Sequence, residues 1–281
     1  NLGNLLLERG DSAGAEASFG HALALKPDYP FALFGQGAAR LARGKCEEAA
    51  ANFEQALALD PAFHEARYNL SRARSALAAR LEHAFDAPAA SSAVVANADA
   101  ALESIVAALQ LHRDNPAYWA QFEQCVRDYD LRHPVDPRLR DLLFRALGHC
   151  AVDPARLVRP IAGGVATRPE AVELHERLLE SGTGDSRAWP TLQSLVFALL
   201  DDALLQRLLE EVVVPNLFVE RLLAFARRGL LQEFAADPAA APSLPLPGIA
   251  AIAHQCFNTE YVHEECAADA AAAAALRSAI A

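Results

Sequence analysis

The first part of the chain repeats itself when the sequence is shifted so that Gly3 falls on Gly37. Small, aromatic, leucine and proline positions all recur together at this shift. The coincident pairs are Gly3 and Gly37, Gly10 and Gly44, Ala15 and Ala49, Phe19 and Phe53, Ala22 and Ala56, Leu23 and Leu57, Leu25 and Leu59, and Pro27 and Pro61. A unit of roughly 34 residues cannot bury its apolar face alone, so its copies must stack against one another. The repeat therefore restricts the fold to a stacked array.

The residue types within each unit predict two antiparallel helices. Gly10 and its equivalent end the first helix, because glycine adopts the left-handed conformation at low cost. Gly3 and Ala15 are small where the two helices must approach closely, and Phe19 fills the space between helix pairs. Pro27 ends the second helix because proline has no amide donor and disfavours helix before it.

These residues resemble the tetratricopeptide repeat (TPR) family, whose unit is a helix–turn–helix. The resemblance implies an all-α fold in which the repeats continue into an irregular, right-handed α-α superhelix. A third unit begins at His64 but lacks the later small and aromatic positions, and Ser71 stands where the glycine is expected. We expect residues 64–85 to form one long helix that closes the stack.

The remainder of the chain is also predicted to be helical. An acid or amide followed by proline predicts helix starts at Asn115-Pro116, Asp136-Pro137 and Asp153-Pro154. Thr167 and Glu170 have the spacing of a capping box, and Gly163-Gly164 predicts a turn before it. Residues 138–150, 171–182 and 194–214 carry apolar residues at the spacing of a helix face. A linker is expected at 86–92. The predicted divisions are 1–86, 87–234, a Pro/Ala linker at 235–248, and C-terminal helices at 249–281.

Composition excludes several classes of function. The 281 residues are 53% apolar and 22% charged, which argues against disorder. Lys+Arg 25 against Asp+Glu 36 gives a net charge of −11, which is unfavourable for nucleic acid even though Arg67, Arg72 and Arg74 lie near Tyr68. Five scattered cysteines predict reduced thiols in a cytoplasmic protein. The sequence contains no stretch of about 18 uninterrupted apolar residues, so no membrane span is predicted. Because Asn1 falls inside a repeat, we expect the chain to be part of a longer protein.

The sequence contains no pattern that specifies an active site, so we predict no catalytic residue, no metal site and no cofactor in this chain. His254, Cys256, His263 and Cys266 could be written as a zinc pattern, but the tight pairs that zinc sites use are missing, and ordinary buried residues are the preferred interpretation. The acid pairs, Asp201-Asp202 among them, do not converge on one substrate atom, because adjacent helical residues diverge; a solvated helix face is expected.

The TPR resemblance implies a concave groove, lined by the first helix of each unit, that binds a protein or peptide. The groove positions it implies are Asn4, Phe31, Phe34, Leu41, Tyr68 and Arg72. Chaperone-binding members of the family hold a C-terminal carboxylate with a clamp of lysine, asparagine and arginine, of which only Asn4 is matched. An apolar partner segment is therefore expected instead. Alternatively, the following helices fill the groove and make these residues core.

A second resemblance concerns the C-terminal part of the chain. The motif Q-C-F-x-x-E-Y-V is similar to a helical segment of bacterial proteins that join such repeats to a class I SAM-dependent methyltransferase domain. It is carried here by Gln255, Cys256, Phe257, Glu260, Tyr261 and Val262. The resemblance implies that this chain is the non-catalytic recruiting or regulatory arm of such an enzyme, with SAM bound elsewhere in the parent protein. The alternative is a free-standing TPR adaptor or scaffold.

Overall fold

The structure is a computed structural model that describes residues 2–84, 88–127, 135–181 and 188–236, with 129, 131, 249, 250, 252 and 255. These residues form thirteen α-helices and one 3-10 helix, and they include no strand. The all-α prediction is therefore confirmed. The chain divides into two compact units, Asn1–Tyr129 and Asp130–Ala281. This division does not coincide with the predicted ones at residues 86 and 234.

Two short helical hairpins open the first unit, as the repeat predicts. Their helices are α1 (Leu2–Glu8), α2 (Ser12–Leu25), α3 (Pro30–Ala42) and α4 (Cys46–Leu59). Gly10 and Gly44 follow α1 and α3 with φ of 81° and 75°, the left-handed conformation expected of them. Each hairpin packs against the next helix along the chain.

Glycine permits close approach at the centre of these hairpins. A Cβ atom added to Gly3 would lie 2.6 Å from the ring of Phe19, and one added to Gly37 would lie 2.7 Å from the ring of Phe53. Ala49 and Phe53 are fully buried in the same region. The small positions and the phenylalanines therefore have the roles that the repeat predicts.

A third, longer hairpin follows, and it corrects two predictions. Its helices are α5 (His64–Ala84) and α6 (Pro88–Leu111), and α7 (Pro116–Arg127) comes next. The single long helix is confirmed as far as Ala84, but it does not close the stack, because α6 packs along it and α7 also contacts it. The linker predicted at 86–92 is wrong for residues 88–92, which belong to α6; proline is well tolerated at the start of a helix.

Within α6, the 20-residue stretch Ser92–Leu111 is long and apolar enough, by length and composition alone, to cross a membrane. Ala101, Ile105 and Leu109 are buried at intervals of four residues, which places them on one helix face. This pattern is that of a helix packed on one side against a protein core.

The second unit packs its helices irregularly. They are α8 (Pro137–Ala146), a 3-10 helix (Pro154–Leu157), α9 (Val158–Ala166), α10 (Pro169–Ser181), α11 (Trp189–Leu200), α12 (Ala203–Glu211) and α13 (Leu217–Ala236). Here α9 contacts both α12 and α13, and α11 contacts α13, so neighbours in space are often not neighbours in sequence.

The helix starts predicted where an acid or amide is followed by proline are confirmed in both units. Asn115, Asp136 and Asp153 each accept a hydrogen bond from the backbone amide two residues along, at 2.8–3.0 Å. The side chain thus satisfies an amide that has no partner within the helix.

The predicted turn at Gly163-Gly164 is wrong, since both glycines lie within α9. A Cβ atom on Gly164 would come within 3.1 Å of the Cβ of Leu131, so this glycine allows close packing. The capping box predicted at Thr167 and Glu170 is also wrong. Thr167 follows the end of α9, and its hydroxyl donates to the carbonyl oxygen of Gly164 at 2.9 Å.

The apolar stretch 194–214 forms two helices, because Asp202 interrupts it. The Asp202 carboxylate accepts hydrogen bonds from the amides of Leu204 and Leu205 and so begins α12. It also accepts from Arg140 at 2.7 Å and Arg168 at 3.1 Å. The expectation of a solvated acidic face is therefore wrong for Asp202, which is buried. Burial opposes ionisation of this carboxyl, but the Arg140 bond and the backbone amide outweigh it and lower its pKa.

The predicted Pro/Ala linker at 235–248 begins too early, because α13 continues to Ala236. Its remaining residues, 237–248, lie outside the described part of the chain, as do most of residues 249–281.

Candidate functional site

The first helices of the successive pairs in the first unit contact one another in order. Contacts join α1 to α3, α3 to α5, and α5 to α7. The six predicted groove residues lie on the first three of these helices: Asn4 on α1, Phe31, Phe34 and Leu41 on α3, and Tyr68 and Arg72 on α5. We call these six residues the groove set.

Phe31 is the most accessible aromatic residue of the groove set. It is 63% exposed, close to the start of α3. Its ring lies 5.2 Å from the ring of Phe63 and 6.2 Å from that of Tyr29, measured between centroids. An exposed ring that is supported by two neighbours presents apolar surface without much freedom left to lose on binding.

Phe34 and Leu41 are half-buried and belong largely to the repeat core. Both pack against the buried cluster that α4 and α5 share, which includes Phe53 and Leu70. The Phe34 ring also lies 5.0 Å from the ring of Phe63. The alternative interpretation, in which groove residues are core, therefore applies to these two positions, although the helix that covers them comes from the repeats themselves.

Tyr68 and Arg72 form the other part of the groove set, on α5. The Tyr68 ring stacks on Tyr118 of α7, with centroids 4.9 Å apart and planes 24° apart. The Arg72 guanidinium lies 5.7 Å from the Tyr68 ring centroid and donates to the side-chain oxygen of Asn69 at 3.2 Å. Asn4 is exposed on α1, in the first hairpin.

Sequence reasoning missed the polar aromatic cluster beside Tyr68. The Nδ1 atom of His64 lies 2.8 Å from the Tyr118 hydroxyl and 3.3 Å from the Glu65 carboxylate. The His112 ring lies 4.9 Å from the His64 ring. Burial, with the negative charge of Glu65 and the neighbouring Tyr68, raises the pKa of Tyr118 to about 12.

The length of α6 explains why this cluster was missed. The first helices α3, α5 and α7 begin at Pro30, His64 and Pro116, so the second interval is much longer than the first. The repeat period therefore cannot align Tyr118 with the earlier repeats. The one feature of the sequence that could have located Tyr118 was the helix start at Pro116. It marks α7 as the first helix of the pair after α5 and α6.

An ion cluster fixes the orientation of the first two hairpins. Glu16 of α2 pairs with Arg40 and Arg43 at the end of α3 and with Lys45. Desolvation opposes ionisation of Glu16, but the hydrogen bonds from Arg40 and Arg43 outweigh it and lower the pKa of its carboxyl. Arg40 also donates to the buried Asn52 at 2.7 Å, which connects the cluster to α4.

Gln255 is the one residue of the Q-C-F-x-x-E-Y-V motif that falls within the described part of the chain. Its side-chain nitrogen donates to the carbonyl oxygens of Leu209 at 2.5 Å and Val212 at 2.6 Å, and its oxygen accepts from the Val214 amide at 3.2 Å. The buried amide thus satisfies backbone groups at the end of α12. The other motif residues, Cys256, Phe257, Glu260, Tyr261 and Val262, lie outside the described residues.

The alternative metal pattern belongs to the C-terminal part of the sequence. His254, Cys256, His263 and Cys266 also lie outside the described residues. Among the residues that the structure does describe, no group of three or more His, Cys, Asp or Glu side chains is arranged to hold a metal ion.

Burial raises the pKa of the Cys125 thiol, which lies 3.4 Å from the hydroxyl of Ser75.

No protein-family model matches the chain, and no curated protein matches it. Solved structures that match include a thermophilic TPR protein from Thermus thermophilus, at 20% sequence identity and a TM-score of 0.40. That match covers 69% of this chain and 95% of the other.

Proposed function

We propose that this chain is a protein-interaction module whose groove set binds an apolar segment of a partner polypeptide. The observation that carries this proposal is the 63% exposure of Phe31, whose ring is supported by an edge-on contact with Tyr29 and a tilted contact with Phe63. Aromatic side chains that are accessible yet rigidly held are typical anchors of protein interfaces. The ordered contacts between first helices give a partner segment a continuous face along which to lie.

The partner in this proposal is a peptide or protein, with neither nucleic acid nor membrane as the target. An apolar side chain would rest on Phe31, while Glu65 and Arg72 offer charges of both signs on α5. The net charge of −11 opposes a polyanionic ligand. Binding would therefore depend on apolar anchors, with charges contributing mainly to orientation.

The experiment that tests this proposal compares two matched variants as affinity baits. Phe31→Glu changes an exposed groove residue, and Val95→Glu changes an exposed valine on α6, a second helix of its pair. A protein retained by the wild type and by Val95→Glu, and depleted at least about tenfold by Phe31→Glu, is the expected partner. Equal retention of all bound proteins by the two variants would contradict the role of the groove set.

We further infer that the module is the non-catalytic recruiting or regulatory arm of a SAM-dependent methyltransferase, located in the cytoplasm. What supports this is the resemblance of the Q-C-F-x-x-E-Y-V motif, which begins at Gln255. Calorimetric titration with SAM should give no binding heat, and stoichiometric binding would contradict the assignment of SAM to another domain.

The alternative to this inference is a free-standing TPR adaptor. The coding sequence beyond residue 281 distinguishes the two. A frame that continues into a glycine-rich strand–turn–helix supports the methyltransferase arm, whereas a stop codon close to that point supports the adaptor. Neither result bears on the groove proposal, which the bait experiment tests separately.

A further inference from the structure

Two histidine rings lie side by side next to the groove set, and the proposed function gives neither of them a role. His64 is the first residue of α5, and His112 follows the last residue of α6. Their ring centroids are 4.9 Å apart, and the Tyr118 ring lies 6.0 Å from the first and 6.3 Å from the second. Because imidazole is the side chain that ordinarily changes charge between pH 5 and 8, this pair responds to mild acid.

The Nδ1 atom of His64 has two competing partners. It lies 2.8 Å from the Tyr118 hydroxyl and 3.3 Å from a carboxylate oxygen of Glu65. When Nδ1 carries a lone pair, the phenol donates to it and the carboxylate is repelled. When the ring is charged, Nδ1 carries a proton, and its bond to the carboxylate is charge-assisted and therefore the stronger of the two. Protonation of His64 thus exchanges one partner for the other.

The positions of the two rings at helix ends favour this exchange. A positive charge at the start of α5 opposes the helix dipole, so a charged His64 depends on the Glu65 carboxylate. A positive charge just after α6 agrees with the dipole, so His112 takes up a proton without needing such an acid. Two charged rings also repel each other, which moves His64 further towards Glu65.

The other charged side chains on the segments that meet at this pair balance one another at neutral pH. They are three acids and three arginines: Asp60, Glu65, Asp114, Arg67, Arg72 and Arg113. Protonation of both histidines therefore makes a balanced surface positive. Arg72 then faces a partner without a competing free acid beside it, because Glu65 is engaged by His64 and the Arg72 guanidinium rests on the Tyr68 ring and the neutral amide of Asn69.

We propose that the His64–His112 pair is a proton-operated switch of the groove set. On protonation, His64 binds Glu65 and releases the Tyr118 hydroxyl, and the end of the groove at Tyr68 and Arg72 becomes positive. Glu65 is the repeat equivalent of Phe31, so the exchange takes place at a groove position. The switch rests on the proposed function, because it regulates that same groove: a partner segment with an acidic residue at this end binds more tightly below about pH 6.

Nuclear magnetic resonance of the isotope-labelled full chain tests the switch without any partner. Between pH 7.5 and 5.5, the Glu65 carboxyl carbon and the Tyr118 ring should shift together with the imidazole nitrogens of His64. The carboxyl of Glu82, exposed towards the other end of α5, gives the baseline, and His64→Gln should abolish both shifts. Stationary Glu65 and Tyr118 signals while His64 takes up its proton would overturn the proposal, as would the same shifts in His64→Gln.

The partner captured through the groove tests the regulation. Its Kd should fall about threefold or more from pH 7.5 to 5.5 for the wild type, and by less than about 1.5-fold for the double variant His64→Gln/His112→Gln. His21→Gln, at an exposed histidine of α2, is the matched control and should keep the wild-type pH dependence. Binding that weakens at pH 5.5, or a pH dependence that survives in the double variant, would overturn the proposal. Capture that does not depend on Phe31 would instead contradict the groove itself, and the Glu65 and Tyr118 shifts would still decide the switch.

Discussion

The ring of Tyr68 stacks on the ring of Tyr118, with centroids 4.9 Å apart and planes inclined by 24°. This pair joins α5 to α7 and places a buried phenol beside the groove set. The Tyr118 hydroxyl in turn lies 2.8 Å from the Nδ1 atom of His64, so Tyr118 makes both an apolar contact and a hydrogen bond. The stack therefore connects the third helical hairpin to the helix that follows it.

Tyr118→Phe should lower the free energy of unfolding by about 0.5–1.5 kcal/mol, because it removes the hydrogen bond to His64 and keeps the stacked ring. The raised pKa also predicts a pH dependence. The folded state raises the pKa of Tyr118 from 10.0 to about 12. The contribution of the protonated Tyr118 hydroxyl to the free energy of unfolding is therefore complete below pH 10 and is lost as the pH rises towards 12. Spectrophotometric titration of the tyrosines should show one fewer late-titrating phenol in the variant. An unchanged titration curve would contradict this.

Phe53→Ala should cost about 3–5 kcal/mol, since the ring is fully buried between the hairpins. Phe31→Ala is the matched control at an exposed phenylalanine, and it should change stability by less than about 1 kcal/mol. Trp119 lies in the first unit and Trp189 in the second, so Trp119 fluorescence in a Trp189→Phe background reports the first unit. Equal effects of the two variants would mean that the repeat core is wrongly assigned.

Gly44→Ala and Gly20→Ala should change stability in opposite directions. Gly44 has φ of 75°, so alanine there is strained by about 1–2 kcal/mol, although a Cβ atom would meet nothing within 4 Å. Gly20 lies inside α2, and its Cβ would meet only the Gln36 amide nitrogen, at an ordinary 3.5 Å. Alanine at position 20 should stabilise the helix by up to about 1 kcal/mol. Chemical denaturation of both variants decides the signs, and destabilisation by Gly20→Ala would contradict the packing described.

Asp202→Asn should destabilise the second unit by about 2–3 kcal/mol. Asparagine still begins α12, but it loses the ion pairs to Arg140 and Arg168. The expected loss is smaller than for a fully buried pair, because the Arg140 side chain is 40% exposed.

The pH dependence of this difference tests its cause. The folded state lowers the pKa of Asp202 from 3.8, so its contribution is present above that pH and is lost as the pH falls through the folded value. The stability difference between wild type and Asp202→Asn should therefore shrink below about pH 4. A difference that stays constant to pH 2 would mean that the charge of Asp202 is not responsible.

The sequence predicted the parts of the fold that depend on local chemistry. Gly10 and Gly44 were assigned correctly because a left-handed turn has few alternatives to glycine. The role of Phe53 followed from a repeat that places the same ring at the same junction. Asp136 was recognised as a helix start because its hydrogen bond reaches only two residues along the chain.

The parts that could not be predicted depend on distant partners. From the sequence alone, Asp202 is predicted to be one of two surface acids. Only the fold places Arg140 and Arg168, which lie far from it in sequence, beside its carboxylate. Tyr118 could not be aligned with the groove because α6 lengthens the third hairpin. Gly164 was predicted to lie in a turn. It is small because Leu131 packs closely against it, and Leu131 lies on another segment of the chain.

The most direct test of the central proposal is the affinity of the captured partner for Phe31→Glu compared with Val95→Glu. We expect the Kd for the purified partner to rise at least about tenfold in Phe31→Glu and to stay at the wild-type value in Val95→Glu, with both variants retaining the wild-type Tm. An affinity that Phe31→Glu leaves unchanged, in a variant that folds normally, would contradict the assignment of this face as a protein-binding site.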